Sequence, residues 1–371
     1  MSIWSLEATI CCIAPCGATS WRALCEAQEP VANASPGTAG MDQRGRMMKK
    51  TVTVFSATGT VGSACVDELV RLKTFNVRVL ARKSGQQERT SFGPPHGGDE
   101  KERRYAQWRD NGVEINVVDA TDHSELIPAL RGTDYLVSCV PSSATESQYP
   151  LIFAAKEAGV ERFVPSEFGA IYEFEQFWPT DTVHRTFARQ KAFIRRVIEL
   201  AGLDFTIIPA GAWPEYYMLE PVAVWGDGNE KIGWSTGRDV GRIIPHVLAH
   251  PLSRNAICPV AATAYCSWNH LLAVRERLLG RKVERNYLTA TDWKAAYERQ
   301  PPGPLKFLVA IGVLMTEGPE GMPLSGNWNG TFLPDFQGTP LDELFPKYIE
   351  PFVAAVRAGL VASGELPPDL R

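Results

Sequence analysis

Between Thr51 and Ile208, short β-branched and aliphatic runs alternate with longer stretches whose apolar positions recur every three or four residues. The short runs are TVTVFS from Thr51, NVRVLAR ending at Arg82, VEINVVD, DYLVSCV stopped by Pro141, RFVP from Arg162, and DFTII. Each reads as a strand. After the first of them, Val61, Cys65, Leu69 and Leu72 share one helical face. Further helices are predicted from about Asp122 to Leu130, from Glu146 to Ala158, and over HRTFARQKAFIRRVIELAG. A polar insertion, Ser84 to Asp110, carries the turn-forming run FGPPHGG and the charged run DEKERRYAQWRD, which predicts a surface helix.

Alternation of this kind predicts an α/β fold: a Rossmann-like, doubly wound parallel sheet with helices on both faces and ligands at the C-terminal ends of its strands. Beyond Pro209 the regularity breaks down. WGDGNEKIGW predicts a hairpin turning at Asp227-Gly228, and helices are expected from Asp239 to Leu248 and from Ser267 to Leu279. The chain therefore divides into residues 50–210, a dinucleotide-binding domain, and residues 211–371, a smaller C-terminal substrate-binding lobe interleaved with the sheet. Residues 1–49 lack sustained periodicity and include the patch PVANASPGTAG. They read as a disordered extension, or as sequence upstream of a start at Met41, Met47 or Met48.

Composition narrows the picture by exclusion. A net charge of −4 over 371 residues supplies no basic field for nucleic acid. No apolar stretch reaches the roughly 18–20 residues of a spanning helix, so a soluble, cytoplasmic protein is expected. Cys11, Cys12, Cys16 and Cys25 lack zinc-site spacing, the six histidines form no ligand pair, and no metal is expected. Cys65 and Cys139 fall in predicted elements, where a thiol acts as a small hydrophobe.

Candidate chemistry gathers at the predicted strand ends. Ser56 to Gly62, S-A-T-G-T-V-G, is a glycine turn between a strand and a helix. Gly59 and Gly62 let the backbone approach a pyrophosphate that faces the helix N-terminus. The second strand ends in Arg82-Lys83 with no acid nearby, which favours NADP(H) over NAD(H) because cations pair with the 2′-phosphate; a plain basic surface loop has the same sequence. Lys191 lies in the apolar stripe of its helix with Phe187, Ile194, Ile198 and Ala201. Burial would lower its pKa and suit it to proton transfer, whereas a snorkelling lysine would keep its head in water. The residue four before it is Phe187, not the tyrosine of the usual short-chain dehydrogenase pair. Along Pro209 to Tyr217, Gly211, Trp213, Tyr216 and Tyr217 could face a planar substrate or pack two lobes together.

Taken together, SATGTVG, the strand end ARK, RFVPSEFG (Arg162–Gly169), QKAFIRRVIE (Gln190–Glu199), GDGNEKI and RDVGR resemble the NmrA-like and isoflavone-reductase-like group of atypical short-chain dehydrogenases. The likeness runs from about Val52 to Ala249, with a looser continuation. It implies an NADPH/NADP+-dependent reductase of aromatic or conjugated small molecules in secondary metabolism, working as a monomer or homodimer. The alternative within the group is a dinucleotide-sensing regulator that does little chemistry. It further implies that Gly59, Thr60, Val61 and Gly62 hold the pyrophosphate and that Arg82 meets the 2′-phosphate, and Ser56, Thr58, Lys83 and Lys191 are expected among the cofactor-binding residues. Ser142, Ser143 and Phe168 would border the nicotinamide, and Lys191 would be the acid/base. Substrate would meet Phe168, Gly211, Trp213, Tyr216 and Tyr217. One departure stands out: the group's motif opens on glycine, and this chain has Ser56.

Overall fold

The computed structural model describes residues 49–83, 98–170, 182–301, 304–317 and 326–363. The expected N-terminal extension, apart from Lys49, and the first part of the insertion, 84–97, lie outside them. Eleven strands are described: β1 (Thr51–Phe55), β2 (Asn76–Arg82), β3 (Glu114–Val118), β4 (Tyr135–Ser138), β5 (Arg162–Val164), β6 (Asp204–Ile207), β7 (Val222–Trp225), β8 (Lys231–Trp234), β9 (Ala256–Ile257), β10 (Ala264–Ser267) and β11 (Arg285–Leu288). Seven form one sheet in the order β3-β2-β1-β4-β5-β6-β9, parallel throughout. The order reverses between β1 and β4, which is where such sheets open a crevice for ligands.

Alternation along each strand divides the core into two layers. Val52, Val54, Val79, Val137 and Val164 pack on one face, while Phe55, Leu80, Leu136 and Phe163 pack on the other. The first face is covered by α1 (Thr60–Leu72) and by a helix from beyond residue 211. In chain order the helices are α2 (Gly98–Asp110), α3 (His123–Leu130), α4 (Gln148–Ala158), α5 (Thr182–Leu200) and α6 (Gly237–Ala249). The second face takes α3, α4 and α5 through Leu126, Leu151 and Ile194.

The helix predicted over DEKERRYAQWRD forms as α2, but it is not only a surface element. Tyr105 and Trp108 are buried in the first-face core, and the Trp108 indole N–H donates to Asp67 at 2.7 Å. Two aromatics three residues apart are enough to fix one side of an otherwise charged helix.

Interleaving of the C-terminal half with the sheet is extensive, since α6 lies against α1 and β9 adds the seventh strand. A Cβ built on Gly241 would lie 2.3 Å from the Val61 carbonyl oxygen and 2.6 Å from the Ala64 Cβ. The two helices therefore approach along a surface that admits no side chain. His246 and Glu68 clamp the same pair at 2.8 Å. Alanine is ordinarily the better helix former by about 0.5–1 kcal/mol. Here the sign inverts: Gly241→Ala is expected to cost about 1–3 kcal/mol through overpacking, read as a lower Tm in thermal unfolding.

The remaining helices are α7 (Trp268–Leu279), α8 (Ala290–Arg299), α9 (Pro304–Glu317), α10 (Trp328–Phe332), α11 (Leu341–Leu344) and α12 (Glu350–Ser363). With β7, β8, β10 and β11, all of these except α10 build a second core around Trp225, Trp234 and Trp268, whereas Trp328 of α10 packs on the first-face core. The hairpin expected at WGDGNEKIGW does not form. The turn is present, with the Asn229 N–H donating to Asp227 at 2.9 Å, but β7 pairs in parallel with β11 and β8 pairs antiparallel with β10. Tertiary pairing outweighs the local Asp-Gly signal, since strand pairing depends on cross-strand context more than on the turn.

Candidate functional site

The glycine turn leaves β1 through Ser56, whose φ is 60°. That left-handed conformation is the reason glycine suits the position, and a serine there is strained. Its hydroxyl has a specific partner, accepting a hydrogen bond from the Arg82 guanidinium at 3.1 Å. The end of β2 is thereby tied to the turn after β1. Gly62 admits no substitution, because a Cβ would lie 2.6 Å from the Ser56 carbonyl oxygen and 2.7 Å from the Ala57 Cα. Gly59 is different: a Cβ there would meet nothing nearer than 3.8 Å. Its lack of a side chain leaves room above the turn rather than solving an internal clash. Gly59 caps α1 without a side-chain hydrogen bond, and the first turn holds no acid. Such a terminus presents free N–H groups and the positive end of the helix dipole.

Lys83 turns away from the turn and pairs with Glu125 at the start of α3. Arg82 is therefore the cation that the structure brings to the turn. On the far side of the switch point, Ser142 opens a 3-10 turn that runs to Ser147, where the Thr145 hydroxyl donates to the Ser142 carbonyl at 2.9 Å. The side chain of Ser143 lies outside the described residues.

The end of β5 holds the most constrained chemistry. Lys191 is 4% exposed, and its ammonium donates to the Ser166 carbonyl at 2.5 Å. Burial pulls its pKa down to about 8, against the opposing pull of the nearby Glu167 carboxylate. The predicted stripe holds at Lys191, Ile194 and Ile198, all buried. The Phe187 side chain lies outside the described residues. The loop that receives the ammonium is pinned on three sides: the Ser166 hydroxyl donates to Val140 at 2.6 Å, Gln148 accepts from the Ser166 N–H at 2.8 Å, and Glu167 pairs with Arg195 at 2.8 Å. The Glu167–Arg195 pair escapes a reading of the sequence. Its only signal is that Arg195 follows Lys191 by four residues and so shares its face.

Trp213 joins three segments of this edge. Its indole N–H donates to the Phe168 carbonyl at 2.8 Å, its ring stacks on Tyr216 at 5.8 Å, and it presses on Gly237, where a Cβ would lie 2.8 Å from the ring and 3.0 Å from the Thr60 methyl. Phe168 is itself mostly buried in the first-face core. Gly211 adopts φ 70° and abuts the Gly233 carbonyl, where a Cβ would approach to 2.1 Å, so its smallness serves the lobe junction. Tyr217 points away from the edge and packs edge-on against Trp225 and Trp268.

A residue absent from the sequence reading also lies here. One Glu215 oxygen accepts from the Gly237 N–H at 3.3 Å, while the other is buried without a hydrogen-bond partner. Burial pushes its pKa up to about 7. A carboxyl raised in the folded state binds its proton more tightly than the unfolded chain does. Its contribution is therefore fully present below the ordinary value of 4.5 and is lost as pH rises toward 7. Glu215→Gln is expected to flatten the stability-versus-pH curve between about 4.5 and 7, measured as urea midpoints across that range. An unchanged slope would show that Glu215 is ionised in the native protein.

The sequence and the fold have counterparts among known proteins. The sequence profile of the NmrA-like family matches residues 48–301. Isoflavone reductase of Glycine max is 26% identical over 255 residues, covering 65% of this chain and 79% of that protein. Phenylcoumaran benzylic ether reductase 1 of Arabidopsis thaliana is 26% identical over 260 residues, covering 65% and 83%. Among solved structures, the binary complex of leucoanthocyanidin reductase and NADPH from Vitis vinifera superposes with a TM-score of 0.63 at 23% identity, covering 81% of this chain and 99% of that one.

Proposed function

The chain belongs to the NmrA-like family, and from that premise we propose that it is an NADPH-dependent oxidoreductase that reduces a planar, aromatic or conjugated small molecule of secondary metabolism. The observation that carries the reading is Lys191, an ammonium buried at the ligand edge of the sheet with a pKa of about 8. A group so placed is protonated at neutral pH yet close to releasing its proton, which is what a general acid requires.

The residues present fit the dinucleotide. Open space above Gly59, the uncapped start of α1 and the obligate Gly62 make a phosphate-binding turn, with Thr58, Thr60 and Val61 presenting its backbone. Arg82, tied to the turn through Ser56, is the partner for a 2′-phosphate. Ser142, Ser143 and Phe168 bound the nicotinamide side. NADPH, when bound, supplies the hydride. Lys191 then gives a proton to the oxygen or carbon that becomes negative, and its charge stabilises the developing anion. The Ser166 carbonyl and the Glu167–Arg195 pair hold the loop against which that ammonium is aimed. Trp213 and Tyr216 offer a stacked aromatic wall for a flat substrate.

In this reading residues 50–210 hold the cofactor and the lobe from 211 covers the substrate. Among the described residues no helix is long and apolar enough to cross a membrane, and the enzyme is taken to work in the cytoplasm as a monomer or homodimer. The test is a screen of aromatic enones, benzylic ethers and related phenolics, following loss of nicotinamide absorbance with NADPH. Turnover of any one supports the reading. Tight NADPH binding with no turnover across the panel would favour a cofactor-sensing regulator.

A further inference from the structure

Glu215 lies where three elements meet beside the glycine turn. It belongs to the short 3-10 turn Pro214–Tyr216, and one of its oxygens accepts from the N–H of Gly237, the first residue of α6. Gly237 in turn presses on the start of α1, where its Cβ would lie 3.0 Å from the Thr60 methyl. The carboxyl is therefore two contacts away from the helix terminus that receives a pyrophosphate.

This carboxyl is poorly provided for. As a residue Glu215 is only partly buried, yet its second oxygen is sealed from solvent and has no hydrogen-bond partner. An ionised carboxylate so placed lacks the donors that burial demands, whereas a neutral carboxyl is tolerated. The groups around it bring no relief. On α6, Asp239 adds a like charge that raises the Glu215 pKa further, after burial, and Arg238 is engaged by Tyr348, donating to its hydroxyl at 2.8 Å. On the same turn the Tyr216 phenol is pushed up by burial and then by Glu215, and stays neutral. The C-terminal segment packs on this turn through residues 345–349 and α12. There Lys347 pairs with Glu343, and Glu350 with Arg275. The first turn of α1 holds no acid. Among the described residues no cation pairs with Glu215.

We propose that Glu215 couples dinucleotide binding to a proton: NADPH binds preferentially when this carboxyl is neutral, and its binding draws a proton onto the ionised form. The inference rests on NADPH occupying the glycine turn and is independent of the substrate. Its sign follows from charge. A pyrophosphate raises the proton affinity of a nearby carboxylate, and at an effective dielectric of about 20 two charges roughly 10 Å apart do so by about tenfold. Linkage makes the effect reciprocal, so NADPH affinity falls as pH rises through the titration of Glu215, which burial brings to about 7.

The test is isothermal titration calorimetry of the full chain with NADPH at pH 7 in PIPES and in imidazole. Their different ionisation enthalpies reveal the protons taken up per dinucleotide. Glu215→Gln keeps the shape of the neutral carboxyl and cannot titrate. With a starting pKa of about 7 and a tenfold rise in proton affinity, the parent is expected to take up about 0.4 proton more than the variant. Lys191 and the 2′-phosphate titrate in both proteins, so the difference isolates Glu215. Fluorescence titrations give a second reading: the ratio of parent to variant Kd should be near one at pH 6 and about tenfold by pH 9. Equal proton uptake in the two proteins, or a Kd ratio that does not change with pH, would overturn the coupling while leaving the oxidoreductase reading in place. Failure of both proteins to bind NADPH would instead remove the cofactor assignment, and the coupling with it.

Discussion

Lys191→Ala lowers turnover by roughly 10²–10⁴-fold while NADPH affinity changes little, the loss that follows removal of a positioned general acid. The expectation rests on where the ammonium is held. Its carbon chain lies in the apolar stripe of α5 and its head reaches the Ser166 carbonyl, at the loop that leads to Phe168. Burial is the dominant influence on its pKa and brings it to about 8. The working form is the protonated one, so the rate should fall as pH rises through about 8. Linkage gives a second, independent signature. A lysine whose folded pKa is depressed makes burial of its charge a cost that is present below 8 and fades as pH rises toward the ordinary 10.5. Lys191→Met should therefore be more stable than the parent at pH 7, with the difference shrinking above 8. A rate retained in Lys191→Ala, measured by nicotinamide absorbance with any accepted substrate, would remove Lys191 from the mechanism.

Arg82→Ala should weaken NADPH by roughly 30- to 150-fold, about 2–3 kcal/mol for lost charge-assisted hydrogen bonds, and leave NADH nearly unchanged. Arg82→Glu should go further and favour NADH, because a carboxylate accepts from a ribose 2′-hydroxyl and repels a 2′-phosphate. Lys83 is a poor substitute, since Glu125 already holds it. Ser56 sharpens the expectation. Its hydroxyl accepts from Arg82, so the guanidinium is oriented toward the turn before any phosphate arrives. The strain of a serine at φ 60° is offset in part by that contact. Fluorescence titrations with both dinucleotides read the split directly, and equal losses for the two would place Arg82 in folding rather than in recognition.

Much of this architecture is legible in the sequence because it is local. β1, the glycine turn and α1 follow from a β-branched run, two glycines and a 3.6-residue period, and the Lys191 stripe follows from the same periodicity. What the sequence hides is long-range. β9 is two residues long and has no pattern of its own, yet it closes the sheet against β6. The turn at Asp227 is correctly signalled, but the strands on either side find partners elsewhere. Tyr105 and Trp108 vanish in a charged run, because only the tertiary fold shows that their side of α2 faces a core. Glu167 and Arg195, 28 residues apart, meet only once β5 and α5 are packed. Tyr217 shows the limit from the other side: the adjacent Tyr216 and Tyr217 divide between the ligand edge and the tryptophan core, and composition alone assigns them alike.

The most direct test of the central claim is an equilibrium titration of the intact protein with NADPH and NADH, followed by nicotinamide or tryptophan fluorescence. The account predicts that NADPH binds at least tenfold more tightly, because the Arg82 guanidinium waits beside the glycine turn for a 2′-phosphate. Equal affinity for the two dinucleotides, or a failure to bind either, would contradict it.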